Sequence, residues 1–450
     1  MKLTFVGGAG SVTGACYLLQ EKNTNILVDC GLNQGGSENE KRNFEPFLFD
    51  PKIIEAVFVT HTHIDHIGRI PKLIKEGFSG TIYSTAPTKD AAYHLLIDAH
   101  HIMLNDLPKD QNPLYDLADI DKAMELWQTL EYHKPVSVGE FLVEAYDAGH
   151  ILGSASYKIT GGGKTIVFSG DLGNIPAPLV KKTEYIKEAD YALIESAYGN
   201  RIHEDVAQRV VVVEDMIEDV VRSKGTLVIP SFAMERTQDL LYELNKLVEE
   251  GRIPQVPIFI DSPLAIRLTE TYKKYERDPA FLDQKAVDAV RKGDAIFNFP
   301  GLRFTLTVEE SKEINSVPPP KVVIAGAGMS NGGRILHHEV RYLPDPQSAI
   351  LFVGFQPEGS LGRLILEGAK EVKIMGQSVP IRARVKAIGG FSAHADQPLL
   401  LAWIESMKKT LKKVFVVQGE EDQSVPLAHR IKDILAIESV VPKSGDSVEL

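Results

Sequence analysis

The residues best suited to chemistry lie in one short segment, His61-Thr62-His63-Ile64-Asp65-His66. Three imidazoles and one carboxylate fall within it, and both groups are good ligands for zinc and similar divalent ions. The segment follows residues 55–60, an apolar and β-branched run that predicts a buried strand. Because a loop at a strand end can turn its side chains inward on a rigid base, the pattern predicts a metal site. A polar loop with incidental histidines is the alternative.

Three further candidate ligands also lie at predicted strand ends. His150 follows a glycine, Asp171 comes directly after a predicted hairpin, and Asp29 ends a short apolar run. Taken alone, each of these residues is better explained as a turn residue or as a buried polar group with a partner. Together with residues 61–66 they form a set that could surround one metal centre.

The predicted secondary-structure elements that must position these residues follow two different patterns along the chain. The first half predicts short strands and turns, with strands at 1–6, 14–20, 25–29, 55–60 and 190–195 and a hairpin at 157–168. Residues 87–131 predict a mainly helical stretch that is broken around Pro108 and Pro113. The middle alternates helices (204–224, 236–250, 263–276, 280–291, 334–343) with strands (226–230, 256–260, 321–325, 349–353), which predicts a parallel α/β sheet of its own. Residues 385–450 return to strand, loop and helix, with a strand at 413–417 that ends at Gln418.

Composition limits the classes of function. The chain has 450 residues, which suggests two or three domains, and its 44% hydrophobic content is typical of a globular protein. No apolar run approaches the ~20 residues that a membrane span needs. The 61 acidic and 49 basic residues give a net charge of −12, so nucleic acid would have to bind through a local basic groove or metal ions. Cys16 and Cys30 lack metal-site spacing and predict free thiols in a cytoplasmic protein.

A glycine-rich turn at residues 8–14, followed by Asp29, resembles a dinucleotide-binding fingerprint. That fingerprint needs a crossover helix of about ten residues between its strands. Residues 15–20 and 25–29 alternate like two strands joined by a four-residue turn, which leaves no room for the helix. We therefore favour a turn beside the metal site over a nucleotide cofactor.

Further motifs occur in a fixed order along the chain. Glu195 lies in Ile-Glu-Ser-Ala-Tyr-Gly, and His394 lies in Phe391-Ser-Ala-His-Ala-Asp396. Between them are three polar or glycine-rich loops, at 231–238, 326–334 and 354–363. With the His-x-His-x-Asp-His signature, these motifs resemble those of the metallo-β-lactamase superfamily and, within it, the β-CASP nucleases, which include the cleavage and polyadenylation specificity factor endonuclease and ribonuclease J. The resemblance extends over nearly the whole chain.

The resemblance implies an α/β fold, a metallo-β-lactamase αββα sandwich with an inserted β-CASP α/β domain. The expected domains are residues 1–203 and 377–450 for the two parts of the sandwich and 204–376 for the insert. The metal site is expected in the cleft between them.

The resemblance also implies roles for individual residues. His61, His63 and His150 would hold one zinc ion, Asp171 would bridge to a second, and Asp65 and His66 would hold that second ion. A water between the ions would ionise near neutral pH and attack phosphorus. Asp65, His394 and Glu195 are the expected catalytic residues, with His394 oriented by Glu195 and protonating the departing ribose oxygen. The expected substrate-binding residues are Arg236, Ser330, Asn331, Arg334, Gln356 and Arg363; each arginine could instead be a structural ion-pair partner.

The sequence departs from the family at motif C. Relatives that cut RNA carry a histidine at the end of a late strand before Gly-Glu, where this chain has Gln418-Gly419-Glu420. Gln418 thus takes the place of a ligand of the second zinc, and an amide oxygen is a weaker, neutral ligand. The second site is therefore expected to be weak or dependent on metal supply.

The expected function is that of a zinc-dependent ribonuclease that acts on single-stranded RNA. It is expected to be an endonuclease, and 5′–3′ exonuclease activity is a second possible mode. No membrane partner is expected. Two alternatives stay open. One is another hydrolase on the same fold, acting on a small ester, thioester or lactam, which would have no need of a large insert. The other is a catalytically weakened RNA-binding subunit, supported by Gln418 alone. A homodimer is one assembly to be tested.

Overall fold

The computed structural model describes residues 1–108, 110–203, 207–354, 356–357, 359–388 and 392–450. Two compact units divide the chain. The sandwich unit comprises Met1–Ile175, Val180–Ile202 and His394–Leu450, and the insert unit comprises Pro176–Leu179 and His203–Ala393. Phe391 of the predicted motif B, and Phe355 and Glu358 of the predicted loop 354–363, lie outside the described residues.

The first sheet of the sandwich unit has seven strands in the order β22-β1-β2-β3-β4-β5-β6. Numbered in chain order, they are β1 (Lys2–Gly7), β2 (Cys16–Glu21), β3 (Thr24–Val28), β4 (Ala56–Phe58), β5 (Thr81–Thr85), β6 (Trp127–Leu130) and β22 (Ser447–Glu449). Pairing is antiparallel from β22 to β3 and parallel from β3 to β6. The antiparallel β2–β3 hairpin confirms that no crossover helix follows the glycine-rich turn.

The second sheet also has seven strands, in the order β21-β20-β11-β10-β9-β8-β7. They are β7 (Val136–Val138), β8 (Phe141–Asp147), β9 (Ala155–Gly161), β10 (Lys164–Phe168), β11 (Tyr191–Glu195), β20 (Lys413–Val417) and β21 (Glu438–Val440). Strands β10, β11, β20 and β21 run parallel, so their carboxyl ends meet at one edge of the sheet.

Three apolar layers hold the sandwich unit together. The central layer joins the facing sides of the two sheets through residues such as Phe5, Phe58, Tyr157 and Phe168. The outer side of the first sheet is covered by α2 (Ile64–Ile67), α3 (Ile70–Lys75), α4 (Ala86–Asp106) and α5 (Leu117–Leu126). The short helix α1 (Ser37–Lys41) precedes them in the chain. The outer side of the second sheet is covered by α13 (Gln397–Glu405), α14 (Glu421–Arg430) and a π-helical turn, Ile431–Leu435. Each sheet thus buries both faces, which is the αββα arrangement.

The insert unit has a six-stranded sheet in the order β14-β13-β15-β12-β16-β19 with all described pairs parallel, and a separate β17–β18 hairpin. The strands are β12 (Thr226–Pro230), β13 (Ile258–Asp261), β14 (Leu302–Phe304), β15 (Lys321–Ala325), β16 (Ala349–Phe352), β17 (Glu371–Ile374), β18 (Gln377–Pro380) and β19 (Arg384–Ala387). The helices are α6 (Ala207–Ser223), α7 (Arg236–Glu249), α8 (Pro263–Tyr275), α9 (Gln284–Arg291), α10 (Val308–Glu313), α11 (Ile335–Tyr342) and α12 (Leu361–Leu366). The predicted parallel α/β sheet is confirmed.

The mainly helical stretch expected over 87–131, with a break around Pro108 and Pro113, is confirmed by α4 and α5. The prediction was wrong only at its end, where residues 127–130 form strand β6 beside β5. Trp127 and Leu130 are buried while the two residues between them are exposed, a spacing that also suits a helix turn. Of the helices that the structure describes, none has the length and apolar content needed to cross a bilayer.

Candidate metal centre

The candidate residues come together because they follow strands that end at the same edge of the sandwich. In the first sheet, Asp29 follows β3, and residues 61–66 follow its parallel neighbour β4. In the second sheet, Asp171 follows β10, Glu195 ends β11, and Gln418 follows β20. Parallel strands end at one edge, where ligands usually bind in α/β sheets.

Four side chains, of which His63 is half-buried and the other three are buried, converge on one point. The donor atoms of His61, His63, His150 and Asp171 all lie within 4.8 Å of one another. His63 Nδ1 is 3.0 Å from His61 Nε2 and 3.3 Å from His150 Nε2. Asp171 Oδ2 is 3.4 Å from His61 Nε2 and 3.6 Å from His150 Nε2. Donors at about 2.1 Å from a tetrahedral zinc ion would be separated by about 3.4 Å, so this set fits the metal.

The electrostatics of the cluster favour metal ligation. Burial lowers the pKa of His61, and it holds the pKa values of His63 and His150 well below their usual range. Although burial opposes it, the surrounding imidazoles hold the pKa of Asp171 well below its ordinary value. Neutral imidazoles and an ionised carboxylate are the forms that bind a divalent cation.

A second position borders Asp171. Its other oxygen, Oδ1, is 3.4 Å from His66 Nε2, and Asp65 Oδ2 is 3.9 Å from the same nitrogen. Gln418 is buried beside them, and its amide nitrogen is 2.7 Å from Asp171 Oδ1 and 3.1 Å from His66 Nε2. The structure therefore brings all seven predicted metal-site residues together.

Two buried residues contact the imidazoles of the candidate metal ligands. Asp29 Oδ2 is 2.8 Å from His66 Nδ1, and Asp29 also accepts hydrogen bonds from the backbone nitrogen and the hydroxyl of Thr60. The Thr60 hydroxyl is in turn 3.1 Å from His61 Nδ1. Outer partners of this kind fix the orientation of metal-binding imidazoles. The sequence predicted Asp29 as a candidate ligand but did not predict a role for Thr60. The sequence feature that could have indicated Thr60 is its position directly before His61.

Close backbone packing fixes the loop that carries the ligands. A Cβ on Gly31 would stand 1.4 Å from the carbonyl oxygen of Asp65, so only glycine fits there. The amides of Ala15 and Leu32 donate to the carbonyls of Asp65 and Ile64. The turn after β1 therefore packs beside the metal-binding segment, as predicted for a turn beside the site.

A second group of titratable residues adjoins the metal cluster. Glu195 is fully buried, its Oε1 accepts from the amide of Leu172, and its Oε2 lies 3.2 Å from His394 Nδ1. Burial opposes the charged form of His394, but the Glu195 and Asp171 carboxylates outweigh this and raise its pKa to about 10. The His394 side chain is 26% exposed, so this imidazole reaches the solvent side of the centre.

The six predicted substrate-binding residues all lie in the insert unit. Each of the arginines is near a carboxylate: Arg236 at 3.9 Å from Glu235, Arg334 at 2.7 Å from Asp261, and Arg363 at 2.7 Å from Glu367. The three uncharged residues make hydrogen bonds within the insert unit. Ser330 contacts Glu339, Asn331 accepts from the backbone amide of Leu361, and Gln356 donates to the carbonyls of Gly328 and Gly354. Their role toward substrate stays a prediction.

Comparison with known proteins gives a consistent result. Family models match residues 18–187 (Metallo-beta-lactamase superfamily domain), 237–365 (Beta-Casp domain) and 378–442 (Zn-dependent metallo-hydrolase RNA specificity domain). Over 427 residues the chain is 38% identical to Ribonuclease TTHA0252 of Thermus thermophilus, covering 95% of each chain. Over 450 residues it is 32% identical to an RNase J-like protein of Methanocaldococcus jannaschii, covering 98% of each. A crystal structure of a protein of unknown function from Enterococcus faecalis V583 covers 100% of this chain and 99% of its own, with a TM-score of 0.55 at 14% identity, which supports the fold alone.

A buried cluster of histidines and a carboxylate at the edge of an αββα sandwich defines a metal-dependent hydrolase. The chain belongs to the metallo-β-lactamase superfamily and, within it, to the β-CASP ribonucleases. The family and the fold class expected from the sequence are therefore confirmed.

Proposed function

We propose that the chain is a zinc-dependent ribonuclease that hydrolyses phosphodiester bonds of single-stranded RNA as an endonuclease, with 5′–3′ exonuclease activity as a second mode. The observation that carries this proposal is the juxtaposition of a four-donor cluster that could hold a metal with His394, an imidazole that contacts Glu195 and Asp171. One part supplies a cation, and the other supplies a proton for the leaving group.

The metal would be held by His61, His63, His150 and Asp171, with Asp65 and His66 bordering a second position. When bound, zinc generates a nucleophile from water at neutral pH and stabilises negative charge on phosphate oxygens. Zinc is proposed from the donor set, since imidazole nitrogen and carboxylate oxygen at tetrahedral spacing suit this ion.

His394 is the proposed general acid. Glu195 holds its Nδ1, which leaves Nε2 as the atom from which a proton passes to the departing ribose oxygen. The pKa of about 10 keeps the imidazole charged at neutral pH until the leaving group takes the proton. Glu195 acts through His394 and is a positioning residue.

The choice of RNA is supported by the names of two similar proteins, a ribonuclease and an RNase J-like protein, and by the RNA specificity domain model at residues 378–442. Arg236, Arg334 and Arg363 are the proposed phosphate contacts, with Ser330, Asn331 and Gln356 beside them. A cytoplasmic location and a homodimer complete the proposal; two buried free thiols, Cys16 and Cys30, agree with a reducing compartment.

A test uses two single-stranded RNAs of one sequence, one linear with a 5′ label and one circularised. Zinc-loaded protein should cut both, because an endonuclease needs no free end. Protein stripped by a chelator should cut neither, and added zinc should restore cleavage. Cleavage of the linear RNA alone would show that the exonuclease mode is the real one.

Additional substrates in parallel assays separate the alternatives. A chromogenic lactam and a thioester serve as substrates for a small-molecule hydrolase, and hydrolysis of these without RNA cleavage would overturn the proposal. A weakened RNA-binding subunit would bind the RNA and take up metal while cutting nothing, and Gln418→His would then be tested for restored cleavage.

A further inference from the structure

Gln418 stands where a ligand of a second metal ion is expected, and its side chain lies in a defined orientation. Its amide nitrogen is 2.7 Å from Asp171 Oδ1. A carboxylate in this centre can only accept, so the amide must present its NH₂ group to it. On the opposite side, the Tyr17 hydroxyl is 3.5 Å from the Gln418 amide oxygen and donates to it.

The same NH₂ group also faces the second atom of this position. It lies 3.1 Å from His66 Nε2, so one neutral donor group contacts both atoms that would otherwise bind a cation there. To become a metal ligand, the amide would have to turn over, because a cation is bound by an amide oxygen and repelled by the hydrogens of the NH₂ group.

The backbone holds the residue firmly in this place. Gln418 has a φ of 49°, a left-handed conformation that is unfavourable for a non-glycine residue. The backbone amide of Gln418 donates to the carbonyl of Gly8 at 2.6 Å, and a Cβ on Gly8 would stand 2.7 Å from the Tyr17 hydroxyl. The turn after β1 therefore fixes both the main chain of Gln418 and the partner of its side chain.

We propose that this centre works with a single metal ion, held by His61, His63, His150 and Asp171, and that the Gln418 amide replaces the second ion by donating to Asp171 and lying against His66 Nε2. The inference rests on the proposed metal site and changes its stoichiometry. It also replaces the expectation that Gln418 is itself a ligand. Asp65 and His66 then shape the centre without binding metal.

The test is metal content, measured without reference to activity. Native protein, Gln418→His and Gln418→Glu are dialysed against buffered zinc, and zinc per chain is measured by mass spectrometry. Native protein should hold one ion. Both variants should hold two, since imidazole nitrogen and carboxylate oxygen are zinc ligands and lack the NH₂ group. Gln128→His, which places a histidine at an exposed position on β6, is the matched control and should stay at one.

Two ions in native protein, or one ion in both folded variants, would overturn the inference. Circular dichroism shows whether the variants fold, and if they do not, anomalous scattering at the zinc edge from native crystals decides between one ion and two. The outcome is independent of the proposed function. A one-ion protein that cuts no RNA would remove the function and leave the inference standing, and a two-ion protein that cuts RNA would do the reverse.

Discussion

Imidazoles a few ångströms apart have opposite charge preferences in this centre. Burial holds the pKa values of His63 and His150 well below their usual range, which leaves their ring nitrogens with lone pairs for a metal. His394 contacts Glu195 and Asp171, and its pKa rises to about 10. The carboxylates that face a ring therefore set its charge preference against the effect of burial.

Replacement of His394 should separate proton donation from metal binding. We expect His394→Ala to lower the rate of RNA cleavage by about a hundred- to ten-thousand-fold, the usual contribution of a general acid. Zinc per chain should be unchanged, because the four-donor cluster does not include His394. His133→Ala, at a half-exposed histidine paired with Glu184, is the control and should cleave normally. Loss of the zinc ion from His394→Ala would mean that this residue is a ligand.

The sequence alone predicts only those residues of the centre that lie close together in the chain. His61, His63 and His66 could be recognised together because they lie within six residues after one strand. The contact of Tyr17 with Gln418 joins residues 401 positions apart, and no pattern near either residue indicates it. The resemblance showed that position 418 is unusual, but the direction of its amide follows only from the packed structure.

At the scale of elements, the metal-binding loop depends on a close approach of two backbones. Gly31→Ala would place a Cβ inside the carbonyl of Asp65. We expect the loop to shift, the free energy of unfolding to fall by about 1–3 kcal/mol, and zinc to dissociate more readily. Urea unfolding and zinc competition with a chelator measure the two effects. Gly332→Ala is the control, since no atom lies within 4 Å of its added Cβ. Equal effects of the two substitutions would contradict the steric explanation.

The end of β13 in the insert unit carries a buried carboxylate, Asp261. It accepts hydrogen bonds from Arg334 and Ser311, each at 2.7 Å, and from Thr305 at 2.8 Å, and it lies 2.7 Å from His338 Nε2. Burial raises the pKa of Asp261, but the hydrogen bonds outweigh it and lower the pKa to about 2. The group therefore stabilises the fold in its charged form.

This carboxylate should give the insert unit an acid-dependent stability. Because the folded pKa lies below the unfolded value of about 4, its contribution of about 2 kcal/mol is present above pH 4 and is lost as the pH falls from about 4 to 2. Asp261→Asn should lower the free energy of unfolding at pH 7 by at least that amount and lose this part of the pH dependence. Denaturant unfolding at several pH values measures it. Asp288→Asn, at an exposed position, should keep the native pH profile.

Element types were predictable where hydrophobic periodicity was long, as in α7 and α8, and less so where it was short. Trp127 and Leu130 are both buried, at a spacing that fits one helix turn as well as the two faces of an irregular strand. Residues 127–130 form a strand because they pair with β5, and this partner lies more than 40 residues away in the chain. Similarly, the short strand β14 had no sequence signal that set it apart from a loop. Helix α10 does have one, the capping box of Thr307 and Glu310, but its six residues are too few to show a hydrophobic period.

For the whole molecule, a net charge of −12 limits how RNA is held. The proposed phosphate contacts are three arginines, each of which already lies near a carboxylate. We expect binding of single-stranded RNA to weaken only gently with salt, with a slope of log affinity against log salt of about −2 for three phosphates. Fluorescence anisotropy with metal-free protein measures this slope. A slope steeper than about −4 would require a basic surface that these arginines do not provide.

The position of His394 in the chain has a consequence for how such enzymes can be built. The insert unit ends at Ala393, so this imidazole belongs to the first residue of the returning chain. Its backbone forms an isolated bridge with Gly173, and the next amide, of Ala395, donates to Leu172 at 2.7 Å. The main-chain contacts that place this proposed proton donor beside the loop of Asp171 therefore lie within the sandwich unit. A chain engineered with a different insert between Ile202 and His394 could keep these contacts.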